Sequence, residues 1–325
     1  METFVTHCSA LEYWRTHDMT QDNLTYRQRK RMAPAGQASH SELQDVHSLG
    51  FPLPIDITIS EKNARQKTYL AKLHVFSVPF PDGCFIKIGD GLSVASPELC
   101  FLQMAKEMPF VELIELGFEL CGLYSLPKTE REDTKPGTVN KGFKELKPRT
   151  DVKRLSAFLG RISGMRGQRP ASRAVEYILD GSASPMETKL TMLLSLPYRL
   201  GGYNLPMPEL NDNIDPSKRA RRSASQSSFA CDLCWPEANL VAEYDSDMFH
   251  EGPRRISKDS KRRNTLIATG LQVITITKDE VYVINEFEKL AELLAVNLGV
   301  RLRYNEYPKF SAKRLELRKA LFFLQ

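Results

Sequence analysis

No apolar run in this 325-residue chain is long enough to cross a bilayer. The longest, near Met192–Leu196 and Leu271–Thr275, fall far short of the roughly 20 residues that a spanning helix needs. The amino-terminal METFVTHCSALEYWR has no basic region followed by an apolar stretch, so no secretory signal is expected. Cysteine is sparse: Cys8, Cys84, Cys100, Cys121, Cys231 and Cys234 lie scattered in mostly apolar contexts, the usage of reduced core residues. Cys231-x-x-Cys234 has zinc-like spacing, but no second CxxC or His pair accompanies it, which favours core packing. Cytoplasm is the expected compartment, with no membrane partner. There is no internal repeat. Gly160, Gly164 and Gly167 do not follow a strand as a nucleotide-binding loop requires. Charge of neither sign dominates: 45 Lys and Arg face 40 Asp and Glu. That balance permits nucleic-acid binding without arguing for it.

The length favours two domains. Residues 1–127 read as a smaller α+β domain. Phe4 and Val5 form a short strand, and a helix follows near residues 9–15, with Ser9 and Glu12 spaced as a capping box. PIDITIS, KLHVFSVPF and CFIKI alternate as strands. Turns fall at Pro81–Gly83 and Asp90–Gly91. Ser96-Pro97-Glu98 opens a helix, and another runs from about Pro109 to Gly122. Residues 128–148, charged and punctuated by Pro136 and Pro148, read as a linker. Residues 149–325 form the second domain.

That domain starts with two basic helices between residues 151 and 179, interrupted around 164–170. Their cations are also consistent with a solvated helix face. Ser184-Pro185-Met186-Glu187 repeats the helix-start signal, and Gly201-Gly202 ends that helix region. Strands are expected at Phe229–Trp235 and Leu240–Asp245, and a helix at residues 258–268 with Gly270 as its C-cap. A β-hairpin is expected around Lys278-Asp279, then two closing helices at residues 285–298 and 311–323.

The chemistry concentrates between Cys231 and Gly270. Asp232 lies in one strand. Glu243 and Asp245, two apart in the next, share a face. Three carboxylates there make an oxygen-rich pocket of the kind Mg²⁺ or Mn²⁺ favours, where the metal lowers the pKa of a water and stabilises charge on a phosphodiester. His250, just beyond the strand, is a candidate general base or acid. Arg254, Arg255, Lys258, Lys261, Arg262 and Arg263 gather positive charge beside the acids, suited to a DNA backbone. Taken alone, the acids also fit solvated strand ends, Asp259 and Arg262 an exposed helix pair, and His250 a turn. His7 and Ser9 read as a turn and a helix cap, and Trp235 as a packing residue.

Asp232 with Trp-Pro-Glu-Ala, then Leu-Val-Ala-Glu-Tyr-Asp-Ser, His250 and Asp259-x-x-Arg262-x-x-x-Leu266-x-x-x-Gly270 resemble the very-short-patch-repair type of PD-(D/E)XK endonuclease. More closely, the chain is similar to bacterial proteins that carry this domain behind a region like AbiEi-type abortive-infection antitoxins. The resemblance runs from about Met186 to Val283; in the first domain it is confined to the run from His74 to Ala105. It implies an α/β, restriction-endonuclease-like fold with a mixed sheet flanked by helices. It implies Asp232 and Glu243 as metal ligands, Asp245 as an assisting acid, His250 as proton carrier and Glu187 as an early helical carboxylate. Asp245 stands where the wider superfamily has lysine, and Ser246 where many relatives have glycine. The implied function is a Mg²⁺-dependent DNA endonuclease or nickase, in phage defence or repair. The alternative is a non-catalytic DNA-binding regulator or antitoxin that keeps the fold, with a toxin or other protein as partner.

Overall fold

The computed structural model describes residues 2–17, 38–60, 68–76, 80–128, 142–162, 164–214, 229–245 and 270–322. The chain divides into two compact units, Met1–Ile178 and Leu179–Gln325.

The first unit is built on a five-stranded mixed sheet. Its strands are β1 (Thr3–Val5), β2 (Ile55–Ile59), β3 (Ala71–Val75), β4 (Phe85–Gly89) and β5 (Leu92–Ala95), in the order β3-β2-β1-β5-β4. β1 runs parallel to β5 and antiparallel to β2, with Val5 opposite both Val94 and Ile57. Every residue of β1, β2 and β5 is buried, which explains why they are rich in Ile and Val. The expected turns fall in place, with Gly83 at φ 85° and Gly91 at φ 71°.

Helices α1 (His7–Thr16) and α2 (His40–Ser48) precede β2; α3 (Pro97–Met104) and α4 (Phe110–Cys121) follow β5. Ser96 caps α3 as expected, its Oγ accepting from Leu99 N at 3.2 Å. The cap at Ser9 is corrected. Thr6 is the N-cap of α1, and Ser9 lies inside the helix, where its Oγ accepts from Asp56 N at 2.8 Å. A serine beside a buried main-chain donor serves that donor instead of its own helix end.

The boundary also differs from the expected one at 148. Helices α5 (Val152–Arg161) and α6 (Gln168–Val175) belong to the first unit. Both are strongly amphipathic, and they bury Leu155, Phe158, Leu159, Ala171, Ala174 and Val175. Arg149 Nε donates to Trp14 O at 3.0 Å, and Thr150 Oγ1 to Glu98 Oε1 at 2.6 Å. Gly117 of α4 admits Ile178: a Cβ there would stand 2.0 Å from Ile178 Cδ1. Within the expected linker, residues 144–145 (β7) pair with residues 124–125 (β6), and Leu146 is buried. Residues 129–141 lie outside the described residues.

The second unit carries a four-stranded mixed sheet with helices around it, the α/β architecture expected. α7 (Pro185–Ser195) leads to β8 (Glu209–Ile214), β9 (Phe229–Trp235) and β10 (Leu240–Asp245), which run antiparallel in succession. β11 (Gln272–Thr277) lies parallel to β10 at the sheet edge. Cys231 and Cys234 pack with Val241 in its core. The expected hairpin after β11 is a helix, α8 (Lys278–Tyr282). Thr277 Oγ1 accepts from Glu280 N, and the Glu280 carboxylate accepts from Thr277 N at 2.7 Å. This capping box starts a helix where alternation suggested a strand. Helices α9 (Ile284–Asn297) and α10 (Phe310–Phe322) complete the unit as expected. Among the described residues no helix is long and apolar enough to cross a membrane.

Candidate functional site

In the second unit, α7, β8, β9 and β10 bring acids that are distant in sequence to one end of the sheet. Ser184 caps α7 by accepting from Glu187 N at 3.2 Å, which fixes Glu187 in the first turn. The Glu187 carboxylate accepts from Ser184 Oγ at 3.0 Å, Ala183 N at 2.8 Å and Asn211 Nδ2 at 2.6 Å. Asn211, in β8, has a left-handed φ of 49°, a conformation that Asn tolerates better than most residues. Its carboxamide also donates to Gly181 O at 2.9 Å.

Asp232 lies in the neighbouring strand. Burial, and then the charge of Asp232, push the Glu187 carboxyl up to about 7; its three hydrogen bonds oppose the rise without cancelling it. Asp232 Oδ2 accepts from Tyr244 N at 2.8 Å. With Ala242 paired to Leu233 in the antiparallel ladder, the next rung sets Glu243 across from Asp232 on the same face. Asp245 lies two residues on, beside Thr277 of β11. Asp232, Glu243 and Asp245 are all half-buried.

The predicted acids Glu187, Asp232, Glu243 and Asp245 therefore fall within one region of the second unit. His250, Arg254, Arg255, Lys258, Lys261, Arg262 and Arg263 lie outside the described residues. Trp235 is buried, its Nε1 donating to Pro206 O at 2.8 Å. Asn211 escapes sequence reasoning because ELNDNI lacks the alternation of a strand. The one available signal is that it is an asparagine, the residue type suited to a left-handed position.

A second polar cluster occupies the first unit. His74 Nε2 lies 2.7 Å from Asp56 Oδ1, and Lys72 Nζ lies 3.6 Å from the same oxygen. Burial alone would raise the Asp56 carboxyl. The His74 hydrogen bond and charge, with Lys72 and His7, outweigh it and hold that carboxyl below its usual range. The His7 ring stacks on His74 with centroids 3.5 Å apart. Burial, then the neighbouring His74, lower His7 to about 3, so its imidazole is neutral at physiological pH. Among the described residues, three metal-ligating atoms approach within 4.8 Å of one another at His7, His74 and Glu107, and at no other group. The acids of the second unit do not close to that span. Composition and spacing gave no sign of this cluster, because its members come from three separate parts of the chain.

No known family model and no solved structure matches the chain. It is 28% identical over 123 residues to uncharacterized proteins MT2308 and Rv2248 from two strains of Mycobacterium tuberculosis. The match covers 37% of this chain and spans only 41% of the length of those relatives.

Proposed function

We propose that the carboxyl-terminal unit is a Mg²⁺- or Mn²⁺-dependent DNA endonuclease or nickase that acts in the cytoplasm. The observation that carries this reading is the convergence of Glu187, Asp232 and Glu243 from α7, β9 and β10 onto one end of the sheet. This is the order the resemblance implies: an early helical Glu, a strand Asp, then a second acid on the next strand. An all-carboxylate donor set suits a hard divalent cation. Bound there, the cation would supply charge stabilisation at the scissile phosphate and an acidified attacking water. Asp232 and Glu243 would hold it. Asp245 would orient the water, and Glu187 would hold or release a proton near neutral pH. His250 would carry the proton to or from the reacting oxygens, and Arg254, Arg255, Lys258, Lys261, Arg262 and Arg263 would grip the DNA backbone.

One observation favours a second reading, a DNA-binding regulator or antitoxin without cleavage. The acids stand further apart than a shared ion requires, and Asp245 replaces the superfamily lysine. A toxin or other protein would then be the partner.

The test is cleavage of supercoiled plasmid with Mg²⁺ or Mn²⁺, beside an Asp232→Ala/Glu243→Ala double variant and an EDTA control, with gel shift on the same samples. Nicking or linearisation that is lost in the variant and with EDTA is the expected result. Intact plasmid with a metal-independent shift would replace the enzyme by the regulator. Neither cutting nor shift would point to a protein partner.

A further inference from the structure

We propose that His7, His74 and Glu107 hold a borderline divalent transition ion, with Zn²⁺ as the archetype, in the amino-terminal unit. This site is independent of the nuclease reading and lies in the other unit. Two imidazoles and one carboxylate have ligand atoms within 4.8 Å of one another. Nitrogen-rich donor sets suit zinc-like ions, whereas Mg²⁺ and Ca²⁺ favour oxygen alone.

The surroundings orient both imidazoles. His74 Nε2 is engaged by Asp56 Oδ1 at 2.7 Å, which leaves Nδ1 for the ion. A carboxylate behind a ligating histidine is the usual outer support of a metal site. Asp56 is itself fixed: it is 5% exposed, and its Oδ2 accepts from Ser9 N at 3.3 Å and Ser9 Oγ at 3.4 Å. On the other ring, His7 Nδ1 lies 3.0 Å from Thr6 Oγ1, which also accepts from Thr58 Oγ1 at 3.1 Å. With the His7 proton on Nδ1, Nε2 presents its lone pair.

The backbone is an independent sign. His7 has a left-handed φ of 49°, uncommon for a residue with a Cβ. Its main-chain N donates to Gln103 Oε1 at 3.0 Å, which ties the strained residue to α3, and the turn after α3 carries Glu107. Residues held in such conformations gather at binding sites, where the surrounding structure compels them. Here the conformation lays one imidazole flat against the other at 3.5 Å. His7 and His74 are half-buried and Glu107 is exposed, so an ion has a way in and water can complete its coordination.

The test uses the full chain, stripped with chelator and titrated with Zn²⁺ against a chromophoric competitor, with Co²⁺ as a spectroscopic probe. The expected result is one tight equivalent in the wild type and in Asp232→Ala/Glu243→Ala. His7→Asn keeps a residue that accepts the left-handed conformation, and Glu107→Gln alters an exposed side chain; each should weaken binding by about 10-fold or more. Asp56→Asn, a change at a positioning residue, should weaken it by about 10- to 100-fold and shift the visible Co²⁺ band. A wild type that binds no Zn²⁺ would overturn the proposal. So would His7→Asn and Glu107→Gln proteins, folded by circular dichroism, that bind as the wild type does.

Discussion

The main-chain nitrogen of Tyr244 donates to Asp232 Oδ2 across 2.8 Å, just beyond the last paired rung of β9 and β10, Ala242 with Leu233. Asp232 therefore does two things. Its oxygen continues the ladder where main-chain pairing stops, and its charge faces Glu187.

Asp232→Asn separates these roles, because the amide keeps an oxygen for Tyr244 and loses the charge. The Glu187 carboxyl should then titrate below 7 but above 4.5, since burial, the larger cause of its elevation, remains. Carboxyl-carbon NMR titration reads this directly. An unchanged midpoint would show that the two carboxylates do not oppose each other.

Stability of the second unit should fall as pH rises from about 4.5 to 7. Across that window folded Glu187 keeps its proton while the unfolded chain has released it, so the native state binds more protons and loses ground with rising pH. The loss attributable to this group is about 3 kcal/mol at most. Urea unfolding at pH 5 and pH 8 in EDTA, followed by Trp235 emission in a Trp14→Phe background, measures it. Glu187→Gln should flatten the difference; equal slopes in both proteins would refute the assignment.

Arg15 and Glu119 form a two-pronged pair in the first unit, Nε to Oε1 at 2.7 Å and Nη2 to Oε2 at 2.6 Å. Their side chains are 11% and 3% exposed, so water can replace neither partner. Burial works against the Arg15 charge, and Glu119 more than compensates. Glu119→Gln leaves that cation buried without its counter-charge and should cost about 3–5 kcal/mol in thermal or urea unfolding. A change below about 1 kcal/mol, the value of an exposed pair, would show that solvent reaches it.

Gly117→Ala should destabilise the first unit by about 1–3 kcal/mol, because the added methyl meets Ile178 and then Phe101. The companion Gly117→Ala/Ile178→Val protein should recover part of the loss. No recovery would mean that the pair is not what limits the fit.

Legibility in the sequence followed the local strength of the signals. The caps at Ser96 and Ser184 lie within three residues of their partners, and both helices start where expected. β9 and β10 keep the expected bounds, Phe229–Trp235 and Leu240–Asp245. β8 was not legible, because its residues are polar and its membership rests on pairing with β9. The boundary near 148 followed charge and proline, yet the apolar faces of α5 and α6 answer to α3 and α4, which composition does not reveal. In the candidate site the strand acids could be read from spacing. The left-handed Asn211 and the partnership of Asp56 with His74 could not, since each depends on chain segments meeting in space.

The place of β1 at the middle of the five-stranded sheet has a consequence for synthesis. Its parallel neighbour β5 ends at Ala95 and its antiparallel neighbour β2 at Ile59. A nascent chain leaving the ribosome thus presents Thr3–Val5 first and must hold this apolar segment without one neighbour until residue 95 has emerged. Assembly of the first unit is governed by that late closure, which makes its early chain a natural client for a holding chaperone and its folding slower than its helix content suggests.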